Sequence, residues 1–335
     1  MLVLVTGAGG WFLVAGNCVE VPSHQQLAPT TSTSNQHQQP TPAPATSTQH
    51  PLDADLLRIP VGPGSLHVER YGHGGAPIVL VHGFGTCSFL WRDVGPVLAM
   101  ANRTAFAIDL FGYGESDRPF DAQFGIEAQS DYFDHALTAL RLSRATVVGI
   151  DLGGAVAMHL AFTRPERVER LVLINAIAFD DVPADDIKTM QRNTARFALR
   201  ISRGVLGAAP LIRELLEKSV ADKENMPDGL IARYLAPYVG DDGLNHLLSL
   251  GRSVTDEDML DIDLGLLDCP TLIVWGDQDP FVSPKLGDRL ADTIPGSRLV
   301  RLPGTGRLVP EEAPDTLANM ILEFVGAAGV VRAEG

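Results

Sequence analysis

The run Gly149-Ile150-Asp151-Leu152-Gly153-Gly154 follows the apolar string ATVV and leads into AVAMHLAF. Strand, tight turn and helix in that order put one carboxylate, Asp151, at a sharp bend. The helix N-terminus beside it presents backbone N–H groups that stabilise negative charge. The glycines let the chain turn and let helix and strand approach closely. A carboxylate displayed in this way can attack carbon and form an ester with it. An aspartate in that place is also an ordinary helix N-cap, which needs no chemistry. The six residues alone leave both readings open.

Two more segments carry groups that such chemistry needs. His82-Gly83-Phe84-Gly85 follows the apolar run PIVLV. The Phe84 N–H, with that of Leu152, would form an oxyanion hole or a site for a leaving anion. His82 itself reads as a structural histidine bonded to backbone in the turn. Gly276-Asp277-Gln278-Asp279-Pro280 ends another apolar run and offers two carboxylates in one turn.

These segments require a scaffold that brings strand ends together. From Leu56 onward, LLRIPV and SLHVERYG read as an antiparallel pair about the Gly62-Pro63-Gly64 turn. PIVLVHG, TAFAIDLFG, ATVVGID, RLVLINA, TLIVWGD and SRLVRLPG follow. The central runs are almost continuously apolar, as strands covered on both faces must be. Helical stretches at 86–101, 127–142, 153–164, 284–294 and 312–326 alternate with them. Eight strands in a mostly parallel, doubly wound α/β sheet with right-handed crossovers is the expected architecture. Between Ala176 and Leu267 the alternation stops and the texture turns helical. An excursion of about ninety residues is too long for a structureless loop. The expected division is therefore a low-complexity N-terminal segment at 1–55, an α/β core at 56–176 and 267–330, and a helical cap at 177–266.

Composition narrows the partners. The 335 residues carry 41 acidic and 26 basic side chains, a formal net charge of −15, so the surface repels nucleic acid and anionic lipid. A small-molecule substrate is the expected partner. Cys18, Cys87 and Cys269 are odd in number and far apart, which suggests neither a disulfide framework nor a zinc site. No metal or organic cofactor motif is visible. Thr6-Gly7-Ala8-Gly9-Gly10 has the look of a dinucleotide-binding turn, but it runs on into Pro, Ser, Thr and Gln rather than a helix. Residues 22–51 are uncharged and low in complexity, with too little to bury to repay ordering; His24, His37 and His50 belong to that composition. Residues 1–16 are apolar but lack a basic flank and fall short of a membrane span. A cytoplasmic location is the first expectation, with export or anchoring through residues 1–20 as the alternative.

Taken together the chain resembles the α/β-hydrolase superfamily from roughly Leu56 to Val325. The likeness rests on HGFG at 82–85, SFLWR at 88–92, DLFGYGESDRP at 109–119 and GIDLGG at 149–154. RPERVERLVLIN at 164–175, IVWGDQDPFVSP at 273–284 and LPGTGRLVPEEAPDTLANMILEFV at 302–325 extend it. Aspartate at the elbow is similar to the haloalkane dehalogenase and epoxide hydrolase branch. The resemblance implies Asp151 as nucleophile and Asp279 as the acid member, with Asp277 as the near alternative. Asn175 falls where some dehalogenases put that acid, and an amide cannot serve as one. The same resemblance places the catalytic histidine at Arg307, 28 residues beyond Asp279, and no histidine occurs after His246. His246 itself reads as a cap-packing residue.

A guanidinium stays protonated and cannot activate water. An ester on Asp151 would then be long-lived, since loss of a general base costs on the order of 10²–10⁴ in rate. Pairing with Arg307 is expected to lower the Asp151 pKa. Phe84, Trp91 and Leu152 are expected to line an apolar pocket. Tyr234 and Tyr238, four apart in RYLAPYV, would share a helix face as substrate hydrogen-bond donors, or pack the cap as aromatics. The sequence thus points to an enzyme acting on a small apolar electrophile (epoxide, haloalkane or ester), with hydrolytic turnover in doubt. The alternatives are a non-hydrolytic isomerase, cyclase or lyase in which Arg307 holds an anionic substrate, or an inactive binding protein.

Overall fold

The apolar runs become one sheet. The computed structural model describes residues 5–7, 10–12, 54–119, 121–192, 207–240 and 242–330. The low-complexity run, its three histidines and Cys18 lie outside the described residues, as do most of residues 1–20. Within 1–20 only an antiparallel hairpin, Val5–Gly7 with Gly10–Phe12, is described.

The eight strands are β1 (Asp55–Pro60), β2 (Ser65–Tyr71), β3 (Pro77–Val81), β4 (Thr104–Ile108), β5 (Ala145–Ile150), β6 (Val168–Ile174), β7 (Thr271–Gly276) and β8 (Arg298–Leu302). Their spatial order is β8-β7-β6-β5-β3-β4-β2-β1. β1 and β2 pair antiparallel, β2 meets β4 antiparallel, and all remaining pairs are parallel. Burial follows position: every residue of β5 and β7 is buried, whereas edge strand β1 is mostly exposed or half-buried. The order reverses between β5 and β3, so the carboxyl ends of these neighbours bound a crevice, the usual ligand position of an open α/β sheet.

The helices of the core are α1 (Gly95–Met100), α2 (Ile126–Ala139) and α3 (Leu152–Thr163). The expected helix at 86–101 is in fact divided. A 3-10 turn at Ser88–Trp91 precedes α1, which starts afresh at Gly95 with Pro96 in its first turn, where a missing N–H costs nothing. α3 is buried along Leu152–Ala161 because it packs on β5 and β6 and against α2 at once. Its small residues, GGAVA, make that three-sided contact possible.

Between β6 and β7 the described residues contain helices and no strand. They are α4 (Asp185–Gln191), α5 (Ala209–Ser219), α6 (Asp228–Leu235) and α7 (Gly243–Ser253). Residues 193–206 of the expected helical run lie outside the described residues. The segment is tied to the core: Leu308 N–H donates to Ser219 O at 3.0 Å and Ala221 N–H to Glu312 at 2.8 Å. α8 (Pro284–Thr293), a single turn α9 (Val309–Glu312) and α10 (Pro314–Val330) complete the chain. Among the described residues no helix is long and apolar enough to cross a membrane.

Candidate active site

Asp151 follows β5 directly, with φ 52° and ψ −119°. That backbone conformation costs of order 1–3 kcal/mol for a non-glycine residue and persists only where the surroundings impose it. Here they do. Asp151 N–H donates to Ile174 O at 3.0 Å, and Asp151 O accepts from Gly154 and Ala155 N–H. A Cβ on Gly153 would lie 2.3 Å from His82 O, so only glycine lets α3 start this close to the loop after β3. The side chain makes no capping bond to its own helix. It reaches across instead: Oδ2 accepts from Phe84 N–H at 2.9 Å. The ordinary N-cap role is thereby replaced by a contact between two strand ends.

The carboxylate is 2 % exposed, and its Oδ1 has no hydrogen-bond partner. Burial pushes its pKa up to about 6. Arg307 opposes the rise, Asp186 adds to it, and the Phe84 and Leu152 N–H groups oppose it again. Arg307 lowers this pKa, as expected, but desolvation outweighs the guanidinium and the net shift is upward.

The loop after β8 carries Arg307 into the same place. A Cβ on Gly276 would lie 2.0 Å from Gly306 O, so glycine at the end of β7 admits this loop. Gln278 N–H donates to Thr305 O at 2.9 Å, and Gly306 N–H to Glu312 at 2.6 Å. Arg307 is 2 % exposed and is surrounded by carboxylates: Asp186 at 3.1 Å and Asp151 at 3.5 Å from Nη1, and Asp279 at 3.4 Å from Nε. Its Cζ stands 4.4 Å above the Phe281 ring. Nη2 has no hydrogen-bond partner. Burial acts against the charged form, but the three carboxylates more than offset it and raise its pKa.

Asp279 is fully engaged. Its Oδ1 accepts from Phe281 N–H at 2.8 Å and Val282 N–H at 3.1 Å, and its Oδ2 from Asn175 Nδ2 at 3.1 Å and from Arg307. Asn175 also holds Gly276, donating to its O and accepting from its N–H. Asp277, the near alternative, instead pairs with Arg301 at 2.8 Å and is a third exposed. His82 behaves as a structural residue: Nε2 accepts from Leu110 N–H at 3.0 Å, which leaves Nδ1–H to donate to Gly83 O at 2.8 Å. Burial lowers its pKa, so it stays neutral. His246 donates to Gly112 O at 2.6 Å and packs against Tyr238 and Phe124. Neither of these histidines bonds to Asp151.

The remaining sequence-predicted residues are placed differently from expectation. Tyr234 lies on α6 but Tyr238 lies in the 3-10 turn Ala236–Tyr238 that follows it, so the pair does not share one helix face. Pro237 stops the helix from continuing. The Tyr234 hydroxyl donates to Glu311, which also takes a two-bond clamp from Arg92 at 2.7 Å each. Tyr234 is thus a tie between α6 and the core rather than a free donor. The buried Tyr238 hydroxyl has no partner. Trp91 is wholly buried with its indole N–H unpaired. A cavity of about 230 Å³ opens between α4 and α5, bounded by Asp186, Met190, Leu211, Leu215, Lys218 and Phe281 among others. Trp91, Tyr234 and Tyr238 are not on its wall, and neither are Phe84 and Leu152. Two residues of its wall, Asp186 and Phe281, are both in contact with Arg307.

Sequence reasoning missed Asp186. It sits in the acidic run DDVPADD, which reads as a solvated helix start. Tyr113 was missed too. It lies buried edge-on to Phe84 and His82 with an unpartnered hydroxyl, and nothing in DLFGYGESD distinguishes it.

A parallel sheet with a strained carboxylate at a strand-to-helix elbow, facing N–H groups from a neighbouring strand end, defines an α/β-hydrolase architecture. The chain belongs to the alpha/beta hydrolase fold family, which it matches over residues 76–314. It is similar to haloalkane dehalogenase 2 of Mycobacterium tuberculosis, 28% identical over 279 residues that span 78% of this chain and 92% of the relative. It is also similar to 2-hydroxymuconate semialdehyde hydrolase of Pseudomonas sp. CF600, 27% identical over 76% of this chain and 88% of that protein. Among solved structures, a haloalkane dehalogenase DbeA variant from Bradyrhizobium elkanii shares the fold with a TM-score of 0.72. It has 22% identity and covers 84% of this chain and 99% of its own. At family level the relatives are hydrolases.

Proposed function

We propose that this protein binds a small apolar electrophile (a haloalkane, an epoxide or an ester) beneath residues 177–266, which act as a cap, and attacks it with Asp151. The observation that carries this reading is the asymmetry of one carboxylate: Oδ2 is held by the Phe84 N–H while Oδ1 has no hydrogen bond. For a haloalkane or epoxide, Oδ1 donates its lone pair to carbon, and the carbon–halogen or carbon–oxygen bond breaks. Halide leaves, or the epoxide oxygen stays on the bound fragment as an alkoxide that takes a proton from water, and an ester remains on Asp151. Oδ2 becomes the ester carbonyl oxygen, already on the N–H of Phe84, which with the N–H of Leu152 at the helix start would stabilise the oxyanion of a later hydrolysis. The names of the dehalogenase relatives support this substrate class.

In this reading Arg307 occupies the place of the family's histidine, and Asp279, fixed by Asn175 and two N–H groups, anchors the guanidinium. The cation keeps Asp151 ionised near neutrality against the cost of burial. It is a poor holder for an anionic substrate, since three carboxylates already crowd it. Hydrolysis of the ester is slow relative to a histidine enzyme. The test is intact mass after incubation of wild type and Asp151→Asn with a panel of haloalkanes, epoxides and aryl esters. An adduct on wild type alone is expected. Unimpaired turnover by Asp151→Asn would refute the assignment.

A further inference from the structure

Among the described residues, the charged side chains at the site with a buried, unpartnered polar atom are Asp151 (Oδ1), Arg307 (Nη2) and Asp186 (Oδ1). The first is the nucleophilic oxygen and the second belongs to a group that cannot accept a proton. The third has no role so far. Asp186 comes from α4, in the inserted segment, and its side chain is 7% exposed. Its Oδ2 is bound to Arg307 Nη1 at 3.1 Å, the same nitrogen that lies 3.5 Å from Asp151 Oδ1. The two carboxylates therefore flank one cationic nitrogen. Asp186 is also among the residues that bound the 230 Å³ cavity, with Oδ1 itself buried at the cavity's inner side toward Arg307.

We propose that Asp186 is the general base of the second half-reaction, standing in the role that Arg307 cannot fill. The inference rests on the reading of Asp151 as nucleophile. Water in the cavity attacks Cγ of the Asp151 ester, and Asp186 Oδ1 takes its proton. The tetrahedral oxyanion at Oδ2 rests on the Phe84 and Leu152 N–H groups. It collapses by breaking the bond between Cγ and the alcohol oxygen, and the proton on Asp186 passes to that alkoxide. Alcohol leaves, and the regenerated Asp151 carboxyl ionises. Asp279 is not placed for this work, because both its oxygens are taken by Phe281, Val282, Asn175 and Arg307. Asp186 Oδ1 is not so engaged. Arg307 has a second task in this scheme: it holds Asp186 by the other oxygen, which leaves Oδ1 to meet water.

The experiment follows the ester by rapid-quench intact mass, using the haloalkane or epoxide that labels wild type. Wild type, Asp186→Asn and Asp186→Glu are compared at matched pH. Asp186→Asn is expected to form the ester within a few-fold of the wild-type rate and to lose it at least about tenfold more slowly, as removal of a general base requires. Asp186→Glu restores part of the decay, and wild-type decay shows a normal solvent isotope effect that Asp186→Asn lacks. Ester decay unchanged in Asp186→Asn, or as slow in Asp186→Glu as in Asp186→Asn, overturns the proposal. If Asp186→Asn fails to fold, absence of an isotope effect on wild-type decay overturns it. No ester on wild type with any member of the panel defeats the Asp151 reading itself, and this inference with it; that outcome is distinct from an ester that forms and decays regardless of Asp186.

Discussion

Replacing Arg307 by Met keeps most of the side-chain volume and removes the cation from among three carboxylates. At 3.5 Å the Arg307–Asp151 pair alone has a gross attraction of about 5 kcal/mol at an effective dielectric of 20. Most of that offsets desolvation of the pair. The cost of deleting one partner is set by the charge left behind, about 3–5 kcal/mol for a buried pair. The deficit must depend on pH, and its sign is fixed. A carboxyl whose pKa is raised on folding contributes stability that is full below the unfolded value and lost as pH rises through the folded one. In the wild type that window for Asp151 runs from near 3.8 to about 6. Without Arg307 the folded value climbs further, so the loss continues into the neutral range. Urea unfolding of wild type and Arg307→Met at pH 8 and pH 5 reads the effect. The variant should be less stable by about 3 kcal/mol or more at pH 8, and the gap should narrow at pH 5 as carboxylates protonate. A gap below about 1 kcal/mol at pH 8, or one that widens on acidification, would refute the electrostatic account.

Three further outcomes follow from the same geometry. Arg307→His supplies an imidazole, which unlike the guanidinium can give up its proton, and should raise ester hydrolysis, by up to about 10²-fold, in steady-state assays with a substrate that labels wild type. The rate of ester formation on Asp151, measured by rapid quench, should rise with pH through about 6 and level off above it, since only the ionised carboxylate attacks; a rate independent of pH between 4.5 and 8 contradicts the pKa assignment. Tyr234→Phe leaves Glu311 with Arg92 alone and should cost about 1–2 kcal/mol in thermal or urea unfolding, with ester formation unchanged; loss of labelling without loss of stability would return Tyr234 to the substrate.

The core was legible in the sequence because its signals are local. Continuous apolar runs such as ATVVGI and TLIVWG can only be covered strands, and the glycines at 149, 153 and 154 mark a bend whose sterics are fixed by a few neighbours. The two-strand antiparallel start followed for the same reason. The site was legible as far as its residues sit on those strand ends: Asp151, Asp279, Phe84 and Arg307 meet as their positions imply. What the sequence could not convey is partnership over long separation. Asp186 is one of several acids in DDVPADD, and only the packing of α4 over Arg307 singles it out. Tyr234 and Tyr238 looked equivalent by spacing, yet Pro237 breaks the helix between them and Glu311, 77 residues from Tyr234, captures one hydroxyl. The pull of Arg307 on the Asp151 pKa could be guessed from a motif, whereas the depth of burial that outweighs it could not.

Oxygen tracing tests the central assignment most directly. With protein in excess over a substrate that labels it, one turnover in ¹⁸O-water should leave ¹⁸O in the peptide that contains Asp151, while the released alcohol carries none from solvent. Solvent ¹⁸O in the first-turnover alcohol, with the Asp151 peptide unlabelled, would mean that water attacks the substrate itself and that Asp151 is not the nucleophile.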